Sequence, residues 1–349
     1  IVTNKLRNDL KTDVRIQHIS ISFFNKLNLE KVFIQDQQKD TILYAGQLKL
    51  RITDWFFFKD EVALKYLGLE DGVIKLQRSQ KQWNYQFLAD YFSSGNKEKS
   101  TQKGPKLLLE KIDLKNVLFI NNDGWRGEKL TAKVKSLLLN ADSVNLATGY
   151  FGMNEVQLEE PFFSIDNFEG NRPDSILKKD RALAAKNDKG LRFNLGIDFV
   201  IKDLKMKNGR FESHTDADKP MKYFDGAHIV LNNLNGHFEN FSFLQDTLKG
   251  KILLTAKERC GFELKKLATQ LCITPQKIEL AKLDLQTNKS RLSNYYIMRF
   301  DHFNDDFAHY VTKVQMDAKF KNSTVNSDDI AYFAPELSTW KKQVAISGN

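Results

Sequence analysis

The sequence predicts a mainly-β protein: an elongated, curved antiparallel sheet that forms an open β-groove, with a few short helices. Three observations carry this reading. Apolar and polar residues alternate with a period of two in run after run, turn dipeptides separate the runs, and helical spacing is scarce. Successive side chains of a strand point to opposite faces, so each run has one apolar and one wet face. Lys, Arg, Asp, Gln and Thr fill the wet faces, as in antiparallel strands exposed on one side.

In chain order, Leu48, Leu50 and Ile52 alternate with Lys49 and Arg51. Trp55-Phe56-Phe57-Phe58 follows, read as a buried run between strands, with contact to a membrane surface as the other reading. Phe87, Leu88, Tyr91 and Phe92 recur at helical spacing and predict one or two amphipathic turns over Asn84–Ser93, packed on the sheet. Ser94–Lys106 is polar and reads as a loop. Ile112, Leu114, Leu118 and Ile120 read as one phase, opposite Asp113 and Lys115. Leu130, Ala132 and Val134 form the next run. Gly170–Gly190 is a second polar insertion, with a charged helix candidate over Ser175–Asn187 after Pro173. Ile278, Leu280, Leu283 and Leu285 slip by one residue near Ala281, as a bulge would give. Val314, Met316, Ala318 and Phe320 alternate with Gln315, Asp317 and Lys319. Ser327-Asp328-Asp329 caps a short helix that Pro335 limits. Residues 1–349 read as one continuous segment, because the strand pattern resumes after each insertion.

Asp71-Gly72, Asp123-Gly124, Asn208-Gly209 and Asn235-Gly236 tolerate positive φ and mark hairpins or bulged turns. A degenerate phrase also recurs at Leu27–Ile34, Leu67–Leu76, Ile112–Ile120 and Leu204–Phe211. Two apolar residues flank a spacer, a polar step follows, then Gly or Val, then more apolar residues. Without a strict period, it reads as successive hairpins rather than a solenoid.

Composition sets the limits. The chain has 349 residues, 41% of them hydrophobic. The mean hydropathy is −0.46, a thin apolar supply for a thick two-sheet core. Twenty-six Phe exclude disorder of the whole, and two Cys exclude a disulfide scaffold or a multi-cysteine zinc site. Net charge is +9, which suits an anionic neighbour, but no block of like charges favours nucleic acid. The chain starts at Ile1, so an anchor or signal upstream is expected.

An apolar sheet face must meet another layer. The solutions are a second sheet, a closed barrel, or an open sheet whose concave face holds an apolar ligand. About 18 strands at ~4.8 Å spacing would make a trough on the order of 85 Å long. Such a trough suits acyl chains. Exposing a chain of roughly 16 carbons to water costs on the order of 13 kcal/mol, most of which a continuous apolar wall removes. The residues expected to line it are Leu48, Leu50, Ile52, Ile112, Leu114, Leu118, Ile120, Val314, Met316 and Phe320.

The segments IQDQQKDTILYAGQLKLRITDWFFFKDEVALKYLGLEDGVIKLQR, WNYQFLADYF and LKNVLFINNDGWRGEKL resemble the N-terminal part of TamB-like proteins of the AsmA superfamily, in their Bacteroidota form. VNSDDIAYFAPEL is similar to the AsmA-type phrase that opens a further β unit. The resemblance implies a periplasmic β-groove that carries phospholipid between the inner and outer membranes. It also implies an inner-membrane anchor helix before Ile1 and a C-terminal region after Asn349 that meets a TamA- or BamA-type barrel. The alternative it implies is a scaffold for outer-membrane protein assembly, where a sheet edge pairs with client strands. A third class, a glycan-binding β-sandwich, lacks a polar-aromatic site.

Chemistry-bearing residues are sparse. His302 and His309 lie near Asp301, Asp305 and Asp306, and His214 near Asp216 and Asp218. The first spacing matches no closed metal site and reads as a solvated loop; the second falls on alternate positions that can seat a cation weakly, and reads first as a polar turn. No nucleophile elbow, phosphate loop, HExxH or GxGxxG occurs, so neither an enzyme nor a cofactor is expected. Cys260 and Cys272 are spaced so that pairing across a hairpin is open.

Overall fold

The structure, a computed structural model, describes residues 2–22, 26–52, 64–94, 109–145, 148–186, 190–192, 196–215 and 218–348. Among these are 17 strands and six short α-helices. The chain divides into two compact units: Ile1–Thr148 with Gln157–Arg172, and Gly149–Val156 with Pro173–Asn349.

In chain order the first elements are α1 (Val2–Leu10), β1 (Val14–Arg15), β2 (His18–Ser22), β3 (Lys26–Gln35), β4 (Thr41–Ile52) and β5 (Leu64–Arg78). They are followed by α2 (Gln86–Ser94), β6 (Lys111–Asp123), β7 (Glu128–Asn145), β8 (Tyr150–Glu159) and β9 (Phe162–Asn167). Within the first unit, β2 through β7 pair side by side in order, β9 pairs with β7, and β1 pairs with β3. One pairing departs from the expected antiparallel sheet: β5 and β6 run parallel. Their connection includes α2, and a parallel pair needs such a crossover.

The remaining elements are α3 (Asp174–Lys186), β10 (Asp198–His214), β11 (His228–Leu244), β12 (Thr247–Glu258), β13 (Glu263–Thr274), β14 (Lys277–Gln286) and β15 (Arg291–Arg299). Then come α4 (Phe303–Ala308), α5 (Tyr310–Lys313), β16 (Gln315–Asn326), α6 (Ser327–Ile330), a 3-10 turn over Pro335–Thr339 and β17 (Gln343–Gly348). Strands β10 to β17 form an antiparallel meander in chain order, with β8 beside β10.

The recurring phrase has a structural meaning. In each copy one residue takes positive φ inside a strand: Lys31 (50°), Asp71 (50°), Asn116 (51°) and Asn208 (53°). A left-handed residue resets the alternation, so apolar residues on one face are spaced by three across it. Leu29 and Val32, Leu69 and Gly72, and Leu114 and Val117 are such pairs. Lys282 (φ 51°) sits beside the slip expected near Ala281, between Leu280 and Leu283. Asp71-Gly72, Asn208-Gly209 and Asn235-Gly236 are therefore mid-strand, whereas Asp123-Gly124 is the turn between β6 and β7.

Asn116 also corrects the phase of β6. Val117, not Leu118, packs with Leu114, because Leu114 opposes Leu137 and Val117 opposes Val134 in one cluster. Leu118 and Ile120 thus lie on the face opposite Ile112 and Leu114.

Candidate functional site

The registers line up apolar residues across strands. In the first unit, Leu29, Leu48, Leu69, Leu114 and Leu137 form one row across β3–β7. Leu27, Leu50, Leu67, Ile112 and Leu139 form a second, and Ile34, Leu43, Ile74, Phe119 and Ala132 a third. Between the first and third rows sit the buried residues Val32, Ala45, Val117 and Val134, with Ala45 at 0% exposure. Gly72 belongs there because a Cβ on it would come within 2.7 Å of the Leu69 side chain, which already fills that space.

In the second unit a row crosses seven strands: Phe199, Phe243, Leu248, Ile273, Ile278, Met298 and Met316. Another crosses six: Met206, Gly236, Leu254, Leu267, Leu285 and Leu292. A Cβ on Gly236 would meet the Phe238 ring at 2.4 Å, so this gap too is filled by a neighbour. Most side chains in these rows are half-buried rather than enclosed, and Met316 is 47% exposed.

The opposite face carries paired charges. Lys251 meets Glu239 at 2.8 Å, Lys266 meets Asp284 at 2.6 Å, and Lys277 meets Glu279 at 2.7 Å. Arg299 pairs with Asp317, and His237 hydrogen-bonds to Asp203 at 2.6 Å. In the first unit Lys49 and Lys115 flank Glu70 at 2.8 and 3.4 Å. The Glu70 carboxyl is held below its ordinary value, chiefly by the Lys49 hydrogen bond. These are surface pairs. Each stabilises only weakly, because solvent screens it, and together they give this face its charge.

Both ends of the second unit's apolar face are furnished. At one end the Phe300 ring meets Phe303 and Phe307 edge to face, and Phe303 tilts against Phe307, with ring centroids 4.5–5.4 Å apart. The Tyr310 hydroxyl reaches Met316 Sδ at 2.9 Å and Met298 Sδ at 3.6 Å. Burial pushes the hydroxyl pKa of the neighbouring Tyr296 up, and its hydrogen bond to Tyr310 pushes the same way. At the other end Phe262, Leu285, Leu292, Val325, Ile330 and Phe333 line a cavity of about 200 Å³.

Of the residues expected to line a groove, Leu48, Leu50, Ile112 and Leu114 fall on the first unit's apolar rows. Ile52 continues β4 opposite Leu64. Leu118 and Ile120 are on the other face. Met316 and Phe320 share the second unit's apolar face, and Phe320 stacks on Tyr296 at 6.4 Å. Val314 is buried just ahead of β16. The sequence reading missed α4 and α5, although Phe303 and Phe307 stand at i, i+4; the Asp and His residues around them read as a loop.

The remaining candidates resolve as structural. Asp306 accepts backbone N–H bonds from Asp301 (2.7 Å) and His302 (2.9 Å). His214 faces Glu212 and the His228 ring, and Asp216 lies outside the described residues. No metal-binding cluster occurs among the described residues. Cys260 and Cys272 are free. Cys260 is in the β12–β13 turn and Cys272 near the far end of β13, roughly 30 Å away along a strand. Pairing is excluded by that separation. In α2, Phe87 and Leu88 are half-buried, and Tyr91 donates to Asp9 at 2.9 Å. The Trp55–Phe58 run lies outside the described residues.

Fold and site together define a mainly-β protein whose sheets are apolar on one face and charge-paired on the other. No family model matches the chain, and no curated protein is significantly similar to it. No helix among the described residues is long and apolar enough to cross a membrane.

Proposed function

We propose that this chain is a lipid-conduit segment of TamB-like type, which carries phospholipid acyl chains along its apolar sheet faces through the periplasm, between the inner and outer membranes. One observation carries the reading: unbroken apolar rows, five strands wide in the first unit and seven in the second, built of half-buried side chains. Each methylene moved from water onto such a row gains up to about 0.8 kcal/mol, and the next row offers the same gain. Transfer then needs no covalent step, and no catalytic residue is assigned.

A charge on a row should stop passage while the sheet survives. Met316→Asp and Leu50→Asp are the suitable variants, one exposed and one outside the enclosed cluster of its unit. Co-purifying phospholipid, measured by mass spectrometry, is expected to fall roughly tenfold, because a carboxylate cannot share an apolar strip with a hydrocarbon tail. Unchanged lipid content in folded variants contradicts the reading. Crosslinks from strand edges to client β-strands, with none from the rows to lipid, favour the assembly scaffold instead.

A further inference from the structure

A cleft of about 520 Å³ opens in the first unit, beside the end of α1, β1 and the β3–β4 turn. Four cations line it, Arg7, Lys11, Arg15 and Lys39, with two carboxylates, Asp13 and Asp36. All four cationic residues are exposed, so a solute reaches them from water. None of these residues belongs to the apolar rows.

The two carboxylates are already engaged. Asp13 sits between the arginines: Arg15 Nε donates to its Oδ2 at 2.5 Å, and Arg7 Nε meets its Oδ1 at 3.4 Å. Arg7 Nη2 also donates to the Val14 carbonyl at 3.1 Å, and the Arg15 guanidinium lies over the Phe33 ring at 5.1 Å. These contacts position both guanidinium groups and leave N–H donors over among the described residues, since each group carries five. Asp36 is 2% exposed, and its Oδ1 accepts the Gln38 and Asp40 amides, both at 2.8 Å, which closes the turn. Among the described residues no hydrogen bond or ion pair engages the Lys11 or Lys39 ammonium. Four cations against two carboxylates leave the cleft a surplus of two positive charges.

We propose that this cleft binds a phosphate dianion, with Lys11 and Lys39 supplying the charge and the Arg7 and Arg15 forks the N–H donors. A terminal phosphate group carries nearly two negative charges and matches the surplus, whereas a carboxylate matches half of it. A guanidinium also suits the phosphate, because two of its N–H groups reach two oxygens at once. The cleft has the size of an ordinary ligand pocket, larger than a phosphate alone fills, so the rest of an ester has room. A lipid with a terminal phosphate and soluble phosphate present this same group. The site goes beyond the lipid reading and does not depend on it.

The test is calorimetry of the full chain in a zwitterionic buffer of low ionic strength at about pH 8, where phosphate is a dianion and screening is weak. Inorganic phosphate is expected to bind roughly tenfold tighter than acetate. Lys11→Gln combined with Lys39→Gln should weaken phosphate binding roughly tenfold, and both positions are exposed, so the fold is kept. Lys11→Arg with Lys39→Arg should keep it. Lys219→Gln with Lys222→Gln removes the same charge from exposed positions of the second unit and should leave binding unchanged. Dioctanoyl phosphatidate and dioctanoyl phosphatidylcholine then separate the sources. Phosphatidate tighter than inorganic phosphate, with phosphatidylcholine silent, supports the site as one for a lipid headgroup. Phosphatidate no tighter than inorganic phosphate supports it as one for soluble phosphate. Four results overturn the site: no phosphate binding, acetate as tight as phosphate, binding unchanged in the Lys11→Gln, Lys39→Gln variant, or an equal loss in the Lys219→Gln, Lys222→Gln control. None of them touches the apolar rows, so the lipid reading stands or falls by its own variants.

Discussion

Arg78 and Asp123 tie the end of β5 to the end of β6 with two bonds, at 2.7 and 2.6 Å, between side chains only 14% and 10% exposed. The Arg126 amide adds a third donor to Asp123 at 3.0 Å, and the Arg78 guanidinium lies over Trp83 at 4.6 Å. Removing one partner leaves the other charge buried, so Asp123→Ala is expected to cost about 3 kcal/mol in urea unfolding. Burial pushes the Asp123 carboxyl up, but the Arg78 and Arg126 bonds hold it below its ordinary value. A depressed carboxyl stabilises fully above the unfolded value and loses that contribution as pH falls through the folded one. The gap between wild type and variant should therefore be full above about pH 5 and shrink below about pH 4. A gap independent of pH would refute the pairing. Cys260 gives a second check. Burial, with a hydrogen bond to Glu258, pushes its thiol up to about 11. Alkylation of Cys260 without reductant is expected to be slow at pH 8 and to rise toward pH 11. A disulfide to Cys272 would show as a mass change on reduction, and none is expected.

At the level of the strand, the left-handed residues decide which side chains meet. Lys31, Asp71 and Asn116 stand in three different strands, and the Asn116 amide donates to Asp71 Oδ1 at 3.1 Å. Asn116→Gly keeps the backbone conformation and should cost no more than about 1 kcal/mol, the value of the lost hydrogen bond. Asn116→Val should cost about 2 kcal/mol, since a β-branched residue resists positive φ. Deleting Asn116 should cost more than either, because it leaves β6 one residue short opposite the matching left-handed residue Asp71 of β5 and breaks the register beyond it. Thermal unfolding of the three variants tests this order; equal effects would contradict it. Here lies the boundary of what the sequence could reveal. Period-two alternation marked the strands, and the recurring phrase marked four of the bulges. The phase was hidden, because Lys31 and Asn116 carry no glycine to announce positive φ, and Ile112 to Ile120 reads as one uninterrupted face. The parallel β5–β6 pair was hidden too: the sequence shows a polar connection containing a helix, but not where its end returns. Of the expected lining, Leu48, Leu50, Ile112, Leu114, Met316 and Phe320 lie on apolar faces, while Leu118 and Ile120 were displaced by one residue at Asn116. Asp329 was legible only as a helix-cap residue, since the three donors it accepts from belong to the 287–290 turn brought beside it.

Across the molecule, each unit repeats one design. Enclosed apolar side chains are few per strand, such as Val32, Ala45 and Val117 in the first unit and Ile201, Phe243 and Ile252 in the second. Around them run half-buried rows, and behind these the charge pairs. A sheet built this way is stabilised by its ladders and by neighbour-to-neighbour packing, and it leaves hydrocarbon-compatible surface on one side. The central claim is that this surface, and not the charged one, meets lipid. Site-specific photocrosslinking separates the two most directly. A photoreactive residue is placed at Leu48, Leu67, Ile278 or Met316 on the apolar rows, and at Lys49, Glu279 or Asp317 on the opposite face, in cells labelled with radioactive phosphate. Crosslinked phospholipid at the first four positions and none at the last three is the predicted result. Equal labelling of both faces, or labelling confined to Lys49, Glu279 and Asp317, would contradict it.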